Sequence, residues 1–216
     1  MNGIVYIAMR EPKYLEMAMK SARSLRAQGC RDFVRLVTDL KVDDGRAPLF
    51  DEVVFTDDGK WRGRGVKTRL PTFARDLDRC LFLDCDTEMV RPIDEIWATE
   101  GHLSLAVHPD DRFLKRVNRL THFFRLYGRE MRETLGMVNP MSTPYYNSGV
   151  ILFDAVGASV LEGWHEEWSK YGKIDQLALV RLLAKTKAGV TELPLKFNSP
   201  TLLEDTVVHH YYWMAK

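Results

Sequence analysis

The chain has 216 residues with 31 Lys or Arg against 30 Asp or Glu, a formal charge of +1, and is 45% hydrophobic and 11% aromatic. That balance excludes a disordered acidic or basic tail protein and gives no whole-molecule attraction to nucleic acid, and a chain this long can bury roughly 70% of its unfolded surface. The longest apolar run, residues 4–9, falls far short of the about 20 residues that span a bilayer, and the three cysteines, Cys30, Cys80 and Cys85, form neither an even set nor a CxxC pair, so a cytoplasmic protein without a transmembrane segment, disulfide framework or zinc site is expected.

Ile4-Val5-Tyr6-Ile7-Ala8 is continuous, apolar and rich in β-branched residues, the pattern of a strand buried on both faces. Pro12 suits a first helical turn. Leu15, Ala18, Met19, Ala22 and Leu25 then fall on one helical face, and Gly29 supplies the stop. Residues 34–38 and 52–55 read as further strands, and residues 59–65 as a loop bearing Trp61, Arg62 and Arg64. Residues 67–74 predict a short helix kinked or shifted by Pro71, and residues 80–83 a buried strand running into Asp84-Cys85-Asp86. Residues 103–107 read as a strand, 111–135 as a long helix broken near Gly128, 149–153 as a strand and 159–171 as a helix. Residues 174–185 are apolar almost all round, which predicts a buried helix, and 190–193 and 206–210 are expected to close the sheet. Alternating strands and helices give an α/β fold with ligand loops at the carboxyl ends of the strands.

Asp84 and Asp86 stand two apart just past such an end, so in extended backbone both carboxylates point to one side. Two like charges held that close repel, and a divalent cation removes the conflict. Hard oxygen ligands favour Mg2+ or Mn2+, which keep open positions for nucleotide phosphates. A solvated turn in which Asp caps a backbone amide is the plainer reading of the tripeptide alone.

The motifs in order say more than any one of them. Tyr6-Ile7-Ala8 is followed by Tyr14 opening a helix with Ser21, Ser24 and Leu25, and Lys67 and Arg69 precede Leu81-Phe82-Leu83-Asp84-Cys85-Asp86-Thr87. The run from Tyr146 through Asn147-Ser148-Gly149 to Phe153, then Asp175-Gln176, then Val207-Val208-His209-His210-Tyr211 complete the series. The set resembles family 8 of the nucleotide-sugar glycosyltransferases, the group that includes glycogenin and the bacterial galactosyltransferases of lipo-oligosaccharide synthesis.

That resemblance implies a single GT-A-like domain with a mixed, mostly parallel central sheet flanked by helices, residues 1–90 forming the nucleotide-binding half and 91–216 the sugar and acceptor half. It implies a metal-dependent hexosyltransferase that takes a UDP-sugar, uses Mn2+ or Mg2+, and retains configuration at the anomeric carbon. Ala8 and Tyr14 would meet the uridine, Lys67 or Arg69 a phosphate or the sugar, and Asp84, Cys85 and Asp86 the donor. Asp84, Asp86 and a late histidine would hold the metal: His210, which precedes Tyr211, is the choice, while the two valines before His209 favour that residue instead. Asn147, Asp175 and Gln176 would line the sugar site. Members commonly continue past the histidine to a glycine and Lys-Pro-Trp, whereas this sequence reads Trp213-Met214-Ala215-Lys216.

Between Arg112 and Arg132, Lys115, Arg116, Arg119, Arg125 and Arg129 interleave with apolar residues such as Phe113, Val117 and Phe124. A solvated face over a core face explains the pattern, and so does a surface for a glycan or lipid-linked glycan acceptor with peripheral membrane contact. No nucleic-acid module is recognisable. Trp164 and Trp168 read as core residues rather than a sugar platform. Two other functions share the aspartate pair. One is a phosphatase of the haloacid-dehalogenase type with Asp84 as nucleophile, whose signature Thr87 matches one place too early. The other is a degenerate, non-catalytic nucleotide-binding protein.

Overall fold

The computed structural model describes residues 1–42, 49–56, 63–112 and 124–212. In chain order these form β1 (Asn2–Ala8), α1 (Pro12–Ala27), β2 (Phe33–Thr38), β3 (Glu52–Phe55), β4 (Arg79–Leu83), β5 (Thr87–Met89) and β6 (Leu103–Arg112). There follow α2 (Phe124–Met137), β7 (Pro144–Asp154), α3 (Ala155–Leu161), α4 (Trp164–Ser169), α5 (Asp175–Thr186), β8 (Thr191–Leu193) and β9 (Val208–His210). Short 3-10 turns fill connections, among them Gly63–Gly65 and Lys67–Phe73.

The architecture is α/β as the alternating pattern requires. A seven-stranded sheet runs in the order β3-β2-β1-β4-β7-β6-β8. β1 pairs in parallel with β2 and β4, β2 with β3, and β6 with β8, while β7 runs antiparallel to both its neighbours. β1 and β4 are therefore central, and their unbroken apolar runs follow from burial on both sides. Alternate residues divide between two cores: Ile4, Tyr6, Leu81 and Leu83 pack with α1, whereas Val5, Cys80 and Phe82 pack with Leu161 of α3, Trp164 of α4 and Leu182 of α5. On α1 the predicted stripe of Leu15, Ala18, Met19, Ala22 and Leu25 is buried, and Gly29 follows the helix at a φ of +85° that glycine adopts without strain.

Several elements differ from the sequence expectation. Asp111 and Arg112 belong to β6 rather than to a helix, α2 begins at Phe124, and it runs through Gly128 unbroken. Lys115, Arg116 and Arg119 lie outside the described residues, as do Trp61, Arg62 and the stretch from Trp213 onward. The helix expected over 159–171 is two helices: α3 starts earlier, capped by the Asp154 carboxylate, which accepts from Val156 N and Gly157 N, and it ends at Leu161 before α4 begins at Trp164. The break at Gly163 turns Trp164 into the core, where it is fully buried. The strand predicted over 149–153 is longer, the 11-residue β7, and holds Asn147-Ser148-Gly149 inside it. β9 does not extend the main sheet: it pairs antiparallel with the unforeseen β5, and that small sheet carries the late histidines to the end of β4. The kink expected at Pro71 falls at Arg69, where φ and ψ leave the helical range. All three cysteines are free and buried. Among the described residues no helix is long and apolar enough to cross a membrane.

Candidate active site

The turn after β4 is held by backbone and by a buried chain of hydroxyls. Asp84 N donates to Gly149 O at 2.7 Å, and the Thr87 hydroxyl donates to Asp84 O at 2.8 Å. A hydroxyl has one proton to give. Thr87 Oγ1 must therefore accept from Ser21 Oγ at 2.9 Å, and Ser21 from Tyr6 OH at 2.9 Å. Ser24 of α1 adds a second tie, accepting from Met89 N at 2.9 Å. The two helix serines thus secure the turn that presents the acidic pair, and Cys85 between the aspartates donates its thiol to Ile7 O of β1 at 3.2 Å.

The β5–β9 ladder sets Thr87 opposite His210, so a residue 124 positions away in sequence lies against Asp86. His210 Nε2 is 3.2 Å from Asp86 Oδ1 and 3.8 Å from Asp84 Oδ2. One ligand atom from each of Asp84, Asp86 and His210 lies within 4.8 Å of the others. The two carboxylates are the hard oxygen donors that Mn2+ or Mg2+ prefers, while the imidazole is a softer nitrogen donor that a transition ion such as Mn2+ accepts more readily than Mg2+. Burial pushes the Asp84 carboxyl up, with the Asp86 charge adding to it and Lys67 and His210 opposing; a bound cation would favour the ionised form. His209 faces the other way and packs its ring 4.1 Å from that of Tyr211, so the geometry brings His210, not His209, to the aspartates.

Lys67 joins this cluster to a second one. Its ammonium donates to Asp84 Oδ1 and Oδ2 at 2.7 and 2.9 Å and lies 3.8 Å from Asp175 Oδ2. Asp175 opens α5 and is buried; it accepts from Ser148 Oγ at 2.7 Å and faces the exposed Arg64 guanidinium at 3.5 Å. Burial pushes the Asp175 carboxyl up, but Lys67, Arg64 and the Ser148 hydroxyl outweigh it and hold it below its ordinary value. Arg69 lies by His165 instead, where burial first and the Arg69 charge second lower the imidazole pKa.

Ala8 is buried at the end of β1, and Tyr14 is half-buried in the first turn of α1 with Lys13 Nζ 5.0 Å from its ring centre. Gln176 Nε2 donates to Tyr146 O at 3.1 Å. Asn147 Oδ1 accepts from Gly149 N at 2.7 Å and from Asn198 Nδ2 at 3.0 Å. Asn198 enters the site without having been singled out from the sequence, while Ser148 and Arg64 were named there without the role their contacts with Asp175 give them. Ser148 sat inside a recognised motif, but a lone asparagine before Ser199 carries no pattern.

Gly149 is required by close approach. A Cβ there would lie 2.0 Å from His210 Cε1, 2.7 Å from Nδ1 and 2.8 Å from Asn147 Oδ1. Gly149→Ala is therefore expected to push the imidazole off the aspartates and weaken Mn2+ binding by at least about 10-fold, the lower bound for disturbing a ligand's support. Manganese titration followed by electron paramagnetic resonance checks this, and an unchanged affinity would contradict the packing.

No family model matches the sequence, and no curated protein matches it. Among solved structures, the galactosyltransferase LgtC in complex with donor and acceptor sugar analogues is similar at a TM-score of 0.63 and 18% identity, over 99% of this chain and 88% of that one. The bifunctional glycosyltransferase WbbM is similar at 0.63 and 18%, over 97% of this chain but 45% of its own. Mouse xyloside xylosyltransferase 1 is similar at 0.58 and 14%, over 97% of both chains. At these identities the likeness shows the fold, and the fold is GT-A-like.

Proposed function

We propose that this chain is a glycosyltransferase that moves a hexose from a UDP-sugar to a hydroxyl acceptor, using Mn2+ or Mg2+ and retaining anomeric configuration. The observation that carries the reading is the meeting of Asp84, Asp86 and His210 at the carboxyl end of a central strand, in a fold shared with glycosyltransferase structures. These three residues would hold the cation. When bound, it supplies positive charge that stabilises a departing diphosphate.

The remaining roles follow from what each side chain can do. The half-buried Tyr14 ring offers a flat face to uracil beside Ala8 at the end of β1. The Lys67 ammonium, set between two carboxylates, can turn to a phosphate without leaving Asp175. Asp175 is held ionised by Lys67, Arg64 and Ser148, and can accept from sugar hydroxyls. With its Oδ1 taken up by Gly149 and Asn198, Asn147 has its Nδ2 to donate to the sugar, and Gln176 stands next to Asp175. The acceptor is a glycan or a lipid-linked glycan met in the cytoplasm.

UDP is expected to raise the melting temperature by about 5–10 °C at about 100 times its Kd, and only with Mn2+ present. A screen of UDP-sugars for transfer or slow donor hydrolysis then identifies the sugar. No shift with UDP and Mn2+ together would overturn the reading. Metal-dependent release of phosphate from a monoester would point to the phosphatase instead.

A further inference from the structure

A metal-binding imidazole must present a lone pair, and which ring nitrogen does so depends on what holds the other. In this chain the answer can be traced to a single backbone amide. Gly149 N–H is a donor that cannot be reversed, and it lies 2.7 Å from the side-chain atom assigned as Asn147 Oδ1, which fixes that amide's orientation. The same oxygen sits 3.0 Å from Asn198, and two amide oxygens would repel, so Asn198 turns its Nδ2 there. Its Oδ1 is then left to face His210 Nδ1 at 2.7 Å, which requires the proton on Nδ1. Nε2, the nitrogen 3.2 Å from Asp86 and 3.8 Å from Asp84, is left to offer its lone pair to a cation.

The surroundings hold this relay in place. Asn198 and Ser199 are fully buried, Asn147 and His210 nearly so. The Asn198 backbone carbonyl accepts from Tyr212 OH at 2.8 Å, and the centre of the Tyr212 ring lies 4.2 Å from that of the His210 ring. Ser199 pairs with β9 as well, its N donating to Val208 O at 2.9 Å and its O accepting from His210 N at 2.8 Å. The asparagine is therefore anchored through its own backbone and through that of its neighbour.

The geometry points to Asn198 as a positioning residue that sets the tautomer of His210 through the relay Gly149–Asn147–Asn198 and so makes Nε2 the metal-binding nitrogen. The inference rests on the cation site of the proposed function, since it assigns how that site is oriented. It gives Asn147 a role apart from the sugar: its oxygen transmits the polarity of β7 to the imidazole.

The test is a double-mutant cycle read by Mn2+ affinity in electron paramagnetic resonance, without donor or acceptor. Asn198→Leu, close in volume but unable to donate or accept, is expected to weaken Mn2+ by about 10–100-fold, the range for lost outer contacts. In a His210→Ala background the same change is expected to do nothing further, because its effect passes through the imidazole. If Asn198→Leu does not fold, as judged by its melting transition, nitrogen-15 spectra of histidine in the Mg2+-loaded parent give the same answer: Nδ1 protonated supports the relay and Nε2 protonated overturns it. Cation binding that ignores Asn198, or that falls equally in the His210→Ala background, sinks the relay alone and leaves the glycosyl-transfer reading standing. No cation binding by the parent protein would overturn both.

Discussion

Asp86→Asn is expected to cut transfer by roughly 10³-fold while the fold survives, the upper end of what losing one preorganised electrostatic contact costs. The side chain keeps its size, and the Asp86 carbonyl still accepts from Tyr211 N at 2.9 Å, so the β5–β9 junction remains closed. What disappears is one of two negative charges that a cation would neutralise. In the metal-free protein Asp84 and Asp86 repel, and relief of that repulsion is expected to leave the melting temperature unchanged or slightly raised. Stability that holds while activity collapses separates a site role from a structural one. Asp84→Asn is expected to lose activity too, but it also strips Lys67 of the carboxylate it grips at 2.7 and 2.9 Å, which makes it the less clean variant. Transfer that persists in Asp86→Asn at more than a tenth of the parent rate would remove the cation from the mechanism.

Arg181→Met is expected to destabilise the protein by about 3–5 kcal/mol, the cost of removing one partner from a buried ion pair. Arg181 on α5 is fully buried; its Nη1 is 3.1 Å from Glu130 Oε1 of α2 and 2.9 Å from Thr134 Oγ1, and its Nη2 donates to Glu167 O of α4 at 2.9 Å. Glu167 would keep Lys170 at 2.7 Å and Lys185 beside it, but Glu130 would lose its cation. Burial already pushes the Glu130 carboxyl up, against the pull of Arg181. Without that pull it rises further. A folded-state pKa above the unfolded one means the folded chain binds the extra proton, so stability falls as pH rises. The deficit of Arg181→Met is therefore expected to be smallest near pH 5 and to grow toward pH 8. Denaturant unfolding across that range checks it. Adding Glu130→Leu should recover most of the loss, and a deficit independent of both pH and Glu130 would refute the account. The consequence reaches the site, because α5 carries Asp175 and Gln176 at its start, and Trp164 Nε1 holds the Asp175 carbonyl at 2.8 Å.

Long apolar segments and the α1 stripe were legible because burial writes itself into local composition. β1, β4, α1 and α5 fall where the pattern predicts. Elements made by distant backbone were not legible: β5 is three residues long and exists only by pairing with β9. The helix break at Gly163 was hidden for a similar reason. Gly163 packs against Leu182 of α5, whose Cδ1 would lie 2.8 Å from a Cβ there, and that neighbour is nineteen residues away in sequence.

The sequence by itself determined the α/β class, the central strands, and the carboxylate pair at a strand end, since each is a matter of residues adjacent in the chain. Only the tertiary structure decided that His210 and not His209 faces Asp86, that Lys67 and not Arg69 bridges Asp84 and Asp175, and that Asn198 stands behind the histidine. On a strand, neighbouring side chains point to opposite faces, and which face meets the site is set by the register of a partner strand more than a hundred residues away. Local composition carries no record of that register, because it is fixed by hydrogen bonds between backbones whose chemistry is the same at every residue.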